Sequence, residues 1–261
     1  MKFLVIANKF DTAGRNILAQ LLDLEPVDYF VANDEVMDSK NLDLEKIKKY
    51  DLIIFASKHK SKKHEKTLSV HSPGNFREVW GGGESGRLNL SSALFCKHLF
   101  ETLIKEKEKS GLKRYSVTME ATHHGPLIER PSVFIEVGGS EIEWKDKAAT
   151  FVVAKTIRKA IHTFKLDKHR EIAIGIGGGH YCPGFNKIQE KSNVALAHII
   201  PKYVSPITSK MIIEAINQTV EEVDFAILDW KGLGKSEERQ KIINILEENY
   251  IQWKKISEIR K

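Results

Sequence analysis

Cysteine is scarce: Cys96 and Cys182 are the two in a chain of 261 residues. That excludes a disulfide framework and points to a reducing, cytoplasmic compartment. Proline numbers seven, and no Pro/Ser or Gly/Ser tract marks a linker, so residues 1–261 are expected to form a single domain. No apolar stretch approaches the roughly 20 residues that span a bilayer, which argues against a membrane-integral role. The apolar start from Phe3 to Ala7 is too short for a signal-peptide core and lacks a small-residue cleavage site; it is expected to be a strand. Internal repeats are missing too. Acidic residues are the minority charge, 35 against 41 basic, and the resulting +6 favours an acidic partner such as a polyanion.

What is present is globular: 41% hydrophobic and 29% charged residues. Short apolar runs recur at Phe3–Ala7, Leu52–Ala56, Ser116–Glu120, Val133–Val137, Ile172–Ile176, Val194–Ile200 and Phe225–Leu228. Several are β-branched and continuous, as strands buried on both faces are. Between them Thr12–Leu24, Ser91–Ser110, Ala148–Lys165, Ser209–Thr219 and Ser236–Ile259 carry apolar residues three and four apart, predicting helices with one buried face. The alternation predicts an α/β fold, a three-layer sandwich around a mixed, largely parallel sheet. The stretch 58–91 reads as one long functional loop.

Three polar strings follow predicted strands, where open α/β sheets place their ligand crevice. They are Ser69 to Phe76 running into Trp80–Gly86, Met119 to Pro126, and Gly175 to Gly184. His71, His123, His124 and His180 recur in them beside Gly or Pro, so they are candidates either for a metal site or for acid–base work. Their spacing matches neither H-E-x-x-H nor H-x-x-E-H. Gly175-x-Gly177-x-x-His180 lacks the third glycine of a dinucleotide fingerprint, and the string ending Gly234-Lys235-Ser236 has Asp229 where a P-loop needs glycine. Gly81 to Gly86 can offer backbone N–H groups to an anion or form a plain turn. Cys182 reads as a buried structural thiol rather than a nucleophile. The run Lys58, Lys60, Lys62, Lys63 and Lys66 is either a solvated loop or a nucleic-acid backbone contact.

The strings H-S-P-G-N at His71–Asn75, W-G-G at Trp80–Gly82, T-M-E-A-T-H-H-G-P at Thr118–Pro126, E-V-G at Glu136–Gly138 and G-G-G-H-Y at Gly177–Tyr181 together resemble the D-aminoacyl-tRNA deacylases of archaea and plants. The resemblance runs from the first strand to the last helix. It implies a monomeric enzyme similar in fold to peptidyl-tRNA hydrolases and nucleoside phosphorylases. It also implies hydrolysis of the ester in many D-aminoacyl-tRNAs, removing mischarged D-amino acids, with Zn²⁺ as cofactor, no membrane and no obligate protein partner.

On that reading His71, Glu120, His124 and His180 are the expected catalytic groups, and His71, His123, His124 and His180 the expected metal ligands. Ser72, Asn75, Gly81, Gly82, Ser85, Gly178 and Gly179 are expected to bind substrate or an oxyanion. A metal-free version has a histidine as general base or the ribose 2′-hydroxyl assisting. If the chain stays extended past Thr122, Glu120 and His124 share a face and His123 points away. The rival readings are a phosphorylase-like enzyme or metal-dependent aminohydrolase acting on a free small molecule, and a non-catalytic tRNA-binding protein.

Overall fold

A computed structural model describes residues 1–33, 44–60, 65–79 and 81–260. In chain order the elements are β1 (Phe3–Asn8), α1 (Thr12–Leu24), β2 (Tyr29–Ala32), α2 (Leu44–Ile47), β3 (Leu52–Lys60), β4 (Thr67–His71), β5 (Gly74–Asn75), β6 (Arg87–Leu88), α3 (Ala93–Ser110), β7 (Ser116–Met119), β8 (Ser132–Gly139), α4 (Glu141–Trp144), α5 (Lys147–Thr163), β9 (Glu171–Ile176), α6 (Pro183–Lys191), β10 (Val194–Ile200), α7 (Ser209–Asn217), β11 (Phe225–Leu228), α8 (Ser236–Glu248) and β12 (Trp253–Lys255). Helix starts follow side-chain caps: Asp11, Ser92, Asp146 and Thr208 each accept from a backbone N–H of the first turn.

The fold is α/β with a mixed, largely parallel sheet, as its alternating pattern predicts. Its strands divide between a six-stranded sheet, β2-β1-β3-β8-β4-β7, and a wholly parallel four-stranded one, β10-β9-β11-β12. In the larger sheet β4 runs antiparallel to β8 and parallel to β7, so the last two strands reverse direction. The main apolar cluster joins the sheets: Val5, Ile54, Leu68 and Ile135 share it with Phe185, Leu196 and Ile227. Helix α1 sits so close that a Cβ on Gly14 would lie 2.4 Å from the Ala56 carbonyl oxygen. On the opposite face of the six-stranded sheet Phe55 stacks on Phe134, with ring centres 4.6 Å apart.

Two expectations change. The stretch 58–91 is not one loop: β3 continues through Lys60, Thr67–His71 is a fully buried strand, and Gly74–Asn75 pairs with Arg87–Leu88. The helix expected over Ser236–Ile259 stops at Glu248, because the chain turns at Tyr250 with φ 57° and returns as strand β12 beside β11. Residues Pro183–Lys191, to which the periodicity assigned no element, form α6 with proline in its first turn, where its missing N–H is not needed.

The link between the sheets is the segment after β7. Ala121 N–H donates to the His180 carbonyl at 2.8 Å, and Thr122 N–H to that of Ile199 at 3.0 Å. Ile199 N–H returns a bond to Thr122 Oγ1 at 3.1 Å. The Met119–Pro126 string is thereby held between the two sheets.

Candidate active site

Strand alternation builds the floor of the site. On β8, Val133, Ile135 and Val137 join the main core, while Phe134 and Glu136 point to the other face. Pairing sets Ser57 and Ser69 opposite Glu136, with His59 and Thr67 opposite Gly138 and His71 opposite Phe134. An apolar sheet face thus passes, two residues at a time, into a polar one. His71 lies flat on Phe134, ring centres 5.0 Å apart at an interplanar angle of 8°.

Glu120, buried at 1% exposure, stands at the centre. Its Oε2 lies 3.2 Å from His59 Nδ1, 3.2 Å from His180 Nε2 and 3.5 Å from His123 Nε2. Burial alone would raise its pKa, but contacts with His180 and His59 hold it well below the usual carboxylate range. Burial would likewise lower that of His59; the Glu120 carboxylate, with Glu136 behind it, outweighs burial and raises it to about 9. Its other nitrogen, Nε2, lies 3.1 Å from the Tyr181 hydroxyl. Glu136 is the opposite case: burial and the neighbouring Glu120 charge push it well above its ordinary value.

Three further imidazoles are fixed alike. His71 Nδ1 donates to the Ser72 carbonyl at 3.3 Å, His123 Nδ1 to Ala121 at 2.8 Å and His124 Nδ1 to Gly125 at 2.6 Å. Each therefore keeps Nε2 as a lone pair. Burial lowers His71 to about 4 and His124 to about 3, and with its histidine neighbours takes His123 well below 6.5, so the rings are neutral. The His123 lone pair then faces a carboxylate oxygen, two acceptors with nothing between them. His71 Nε2 and Glu136 Oε2 lie 3.4 Å apart, and like the Glu120 oxygens they are buried with no hydrogen bond of good angular geometry among the described residues, the Glu120 contacts being ion pairs with His59 and His180.

This donor set is of a kind that can hold a cation, because metal-binding histidines characteristically hand their second nitrogen to a backbone carbonyl. One donor atom each from His71, His123 and His124 lie within 4.8 Å of one another, as do those of His59, Glu120, His123 and His180. His123, His124 and His180 line a cleft of about 570 Å³ with Asn75 and Tyr203.

The sequence-predicted residues divide. Glu120 and His124 do not share a face: His124 has φ 44°, which breaks the alternation, and His123 is the ring on the carboxylate. His71 reaches the cluster from β4, and His180 meets both Glu120 and the His123 ring, whose centre lies 4.7 Å from its own. Asn75 reaches the cleft and donates to the Gly82 carbonyl at 2.8 Å; the Gly81 carbonyl accepts from Gly125 N–H at 3.0 Å. Gly178 and Gly179 form the turn carrying His180, and their carbonyls accept from Lys202 and Cys182. Ser72 is turned away, its hydroxyl held by Ala197 O at 2.8 Å and Ser91 at 2.7 Å. Ser85 lies outside the cleft, donating to the Arg77 carbonyl. The Cys182 thiol is buried, and burial raises its pKa well above that of a free thiol. Lys58 and Lys60 belong to β3, Lys66 is 2.9 Å from Glu143, and Lys62 and Lys63 lie outside the described residues, as does Trp80. His59 and Glu136 were missed as site residues. A lone carboxylate inside the apolar run Ser132–Gly139 was the signal available for Glu136.

A buried carboxylate ringed by imidazoles at the junction of two α/β sheets, open to a cleft, defines a hydrolytic enzyme of the acid–base or metal-assisted kind. The chain belongs to the D-aminoacyl-tRNA deacylase family, whose model matches residues 46–254. A D-aminoacyl-tRNA deacylase of Thermococcus onnurineus is 37% identical over 94% of this chain and 96% of its own length. One of Methanocaldococcus jannaschii is 33% identical over 98% of this chain and all of its own. A crystal structure titled as a conserved protein of unknown function superposes with a TM-score of 0.88 at 28% identity, over 100% of this chain and 98% of that one.

Proposed function

We propose that the chain hydrolyses the ester of D-aminoacyl-tRNA in the cytoplasm, releasing free D-amino acid and tRNA, and that residues 1–261 act as one deacylase domain. The observation that carries this is the buried Glu120 carboxylate contacted by three imidazoles, two of which line the cleft. His180 bonds Glu120 through Nε2 and turns Nδ1 toward the mouth, 3.4 Å from the Tyr203 hydroxyl. In this reading His180 Nδ1 takes the proton of the attacking water, Glu120 stabilises the imidazolium, and the proton passes to the departing ribose oxygen. His59, held charged between Glu120 and Tyr181, balances the buried carboxylate and fixes its orientation.

The neutral imidazoles of His71, His123 and His124 would hold Zn²⁺, with backbone carbonyls fixing each ring. When bound, Zn²⁺ supplies Lewis acidity toward the ester carbonyl and water. No helix among the described residues is long and apolar enough to cross a membrane. The test compares D-tyrosyl-tRNA, L-tyrosyl-tRNA and a free D-tyrosine ester. The expected order has D-tyrosyl-tRNA far ahead. Equal turnover of the free ester would return the small-molecule reading, and binding without turnover the non-catalytic one.

A further inference from the structure

We propose that the cleft continues into a binding site for the single-stranded 3′ end of the acceptor strand, with Tyr203 as the stacking platform for the terminal adenine. The inference rests on the deacylase reading. Tyr203 is 58% exposed at the mouth of the cleft, and its hydroxyl lies 3.4 Å from His180 Nδ1. An ester within reach of His180 brings the adenine of the same nucleoside to this part of the wall, and Tyr203 is the exposed aromatic standing there.

The platform is held in place. Lys202 N–H donates to the Gly178 carbonyl at 3.0 Å. Arg77 spans the cleft wall to bond the Val204 carbonyl through Nε at 2.6 Å and the Pro206 carbonyl through its terminal nitrogen. On the other side of the Phe76–Glu78 segment runs a second groove of about 500 Å³, with Lys210 on its rim. Both grooves share Phe76, Arg77 and Glu78, so a strand leaving Tyr203 passes the exposed cations Arg77 and Lys210. Of the groove's carboxylates, Glu214 is engaged by Leu88 N–H at 3.1 Å and lies 3.7 Å from Arg87. An aromatic platform beside backbone-tracking cations is the combination that binds single-stranded nucleic acid.

The test measures binding of the trinucleotide 5′-CCA-3′, which carries no ester, to wild type, Tyr203→Ala, Tyr203→Phe, Tyr203→Trp and Lys210→Gln, alongside steady-state kinetics on D-tyrosyl-tRNA. Tyr203→Ala is expected to weaken CCA binding at least about tenfold and to raise KM for D-tyrosyl-tRNA by a similar factor, with the change falling on KM rather than kcat. Tyr203→Phe and Tyr203→Trp keep a stacking face and should stay within about threefold of wild type. Lys210→Gln should flatten the salt dependence of CCA binding. Unchanged CCA affinity in Tyr203→Ala, or a Tyr203→Phe variant as weak as Tyr203→Ala, overturns the proposal. A wild type that binds CCA through Tyr203 yet hydrolyses no D-aminoacyl-tRNA would overturn the deacylase reading and leave the nucleotide site standing.

Discussion

Two groups of histidines lie within a few ångströms of each other and are opposite in character. His59 and His180 sit against the Glu120 carboxylate, and His59 is held charged. His71, His123 and His124 bond backbone carbonyls and stay neutral, and His71 and His124 crowd Phe134. On the proposed reading one residue type serves proton handling in the first group and lone-pair donation in the second. The difference lies in the partner of the second ring nitrogen, carboxylate or peptide carbonyl. His123 belongs to both groups, since its Nε2 also faces Glu120.

The largest expected effect separates them. Glu120→Gln removes the carboxylate and should lower kcat at least about 10²-fold, while bound zinc, measured by elemental analysis, stays near the wild-type level. Loss of both together would merge the two groups into one metal centre. The reciprocal change, His71→Ala or His124→Ala, should empty the metal site, and in the wild type phenanthroline should cut deacylation about tenfold or more, with Zn²⁺ restoring it. Full activity in a preparation shown to be metal-free would leave the neutral group without its assigned role.

A third kind of histidine sharpens the comparison further. His198 is fully buried, with Nδ1 3.2 Å from Thr122 Oγ1 and Nε2 3.1 Å from the Gln218 carbonyl; burial lowers its pKa to about 4, and backbone hydrogen bonds with Gln218 and Asn89 only partly oppose that. The unfolded chain protonates this ring below about 6.5 while the folded one does not, so its contribution to stability is full above 6.5 and is lost as pH falls toward 4. Complete loss amounts to about 3 kcal/mol. Urea titrations across that window should show a shallower pH slope for His198→Gln than for wild type; parallel slopes would mean the ring is charged in the fold.

The smallest effect concerns lysines. Lys58→Gln and Lys60→Gln should each reduce the magnitude of the log–log salt slope of tRNA binding by roughly 0.7 to 0.9. Lys66→Gln should leave that slope alone and act on stability, because Lys66 is engaged by Glu143. An equal change at all three would make the run a uniform contact.

Most of the frame was legible because buried parallel strands spell themselves out as β-branched runs, and β10 and β11 begin and end where the pattern places them. Strand β4 was not. Its sequence Thr-Leu-Ser-Val-His alternates, and the polar half faces the site, so it resembles a loop. His59 was hidden inside a charge run, since only the pairing of β3 with β8 reveals that it stands beside the carboxylates. The histidine pair was misjudged because alternation assumes an extended chain, and His124 adopts a left-handed conformation. Apolar residues three and four apart continue past Glu248 in Tyr250, Trp253, Ile256 and Ile259, which carried the expected last helix too far.

Tyr181 and His59 touch across 122 positions of sequence. The groups around Glu120 come from β3, from the chain after β7 and from the turn after β9, so a contiguous fragment that contains them must run from His59 to Tyr181, nearly half of the chain. Such a centre assembles late, after the long loops between its parts have closed and the entropy of closing them has been met. A nascent chain on the ribosome therefore lacks the complete site before the turn bearing His180 emerges, and on the proposed reading metal uptake by the finished cluster would report on the completion of folding rather than start it.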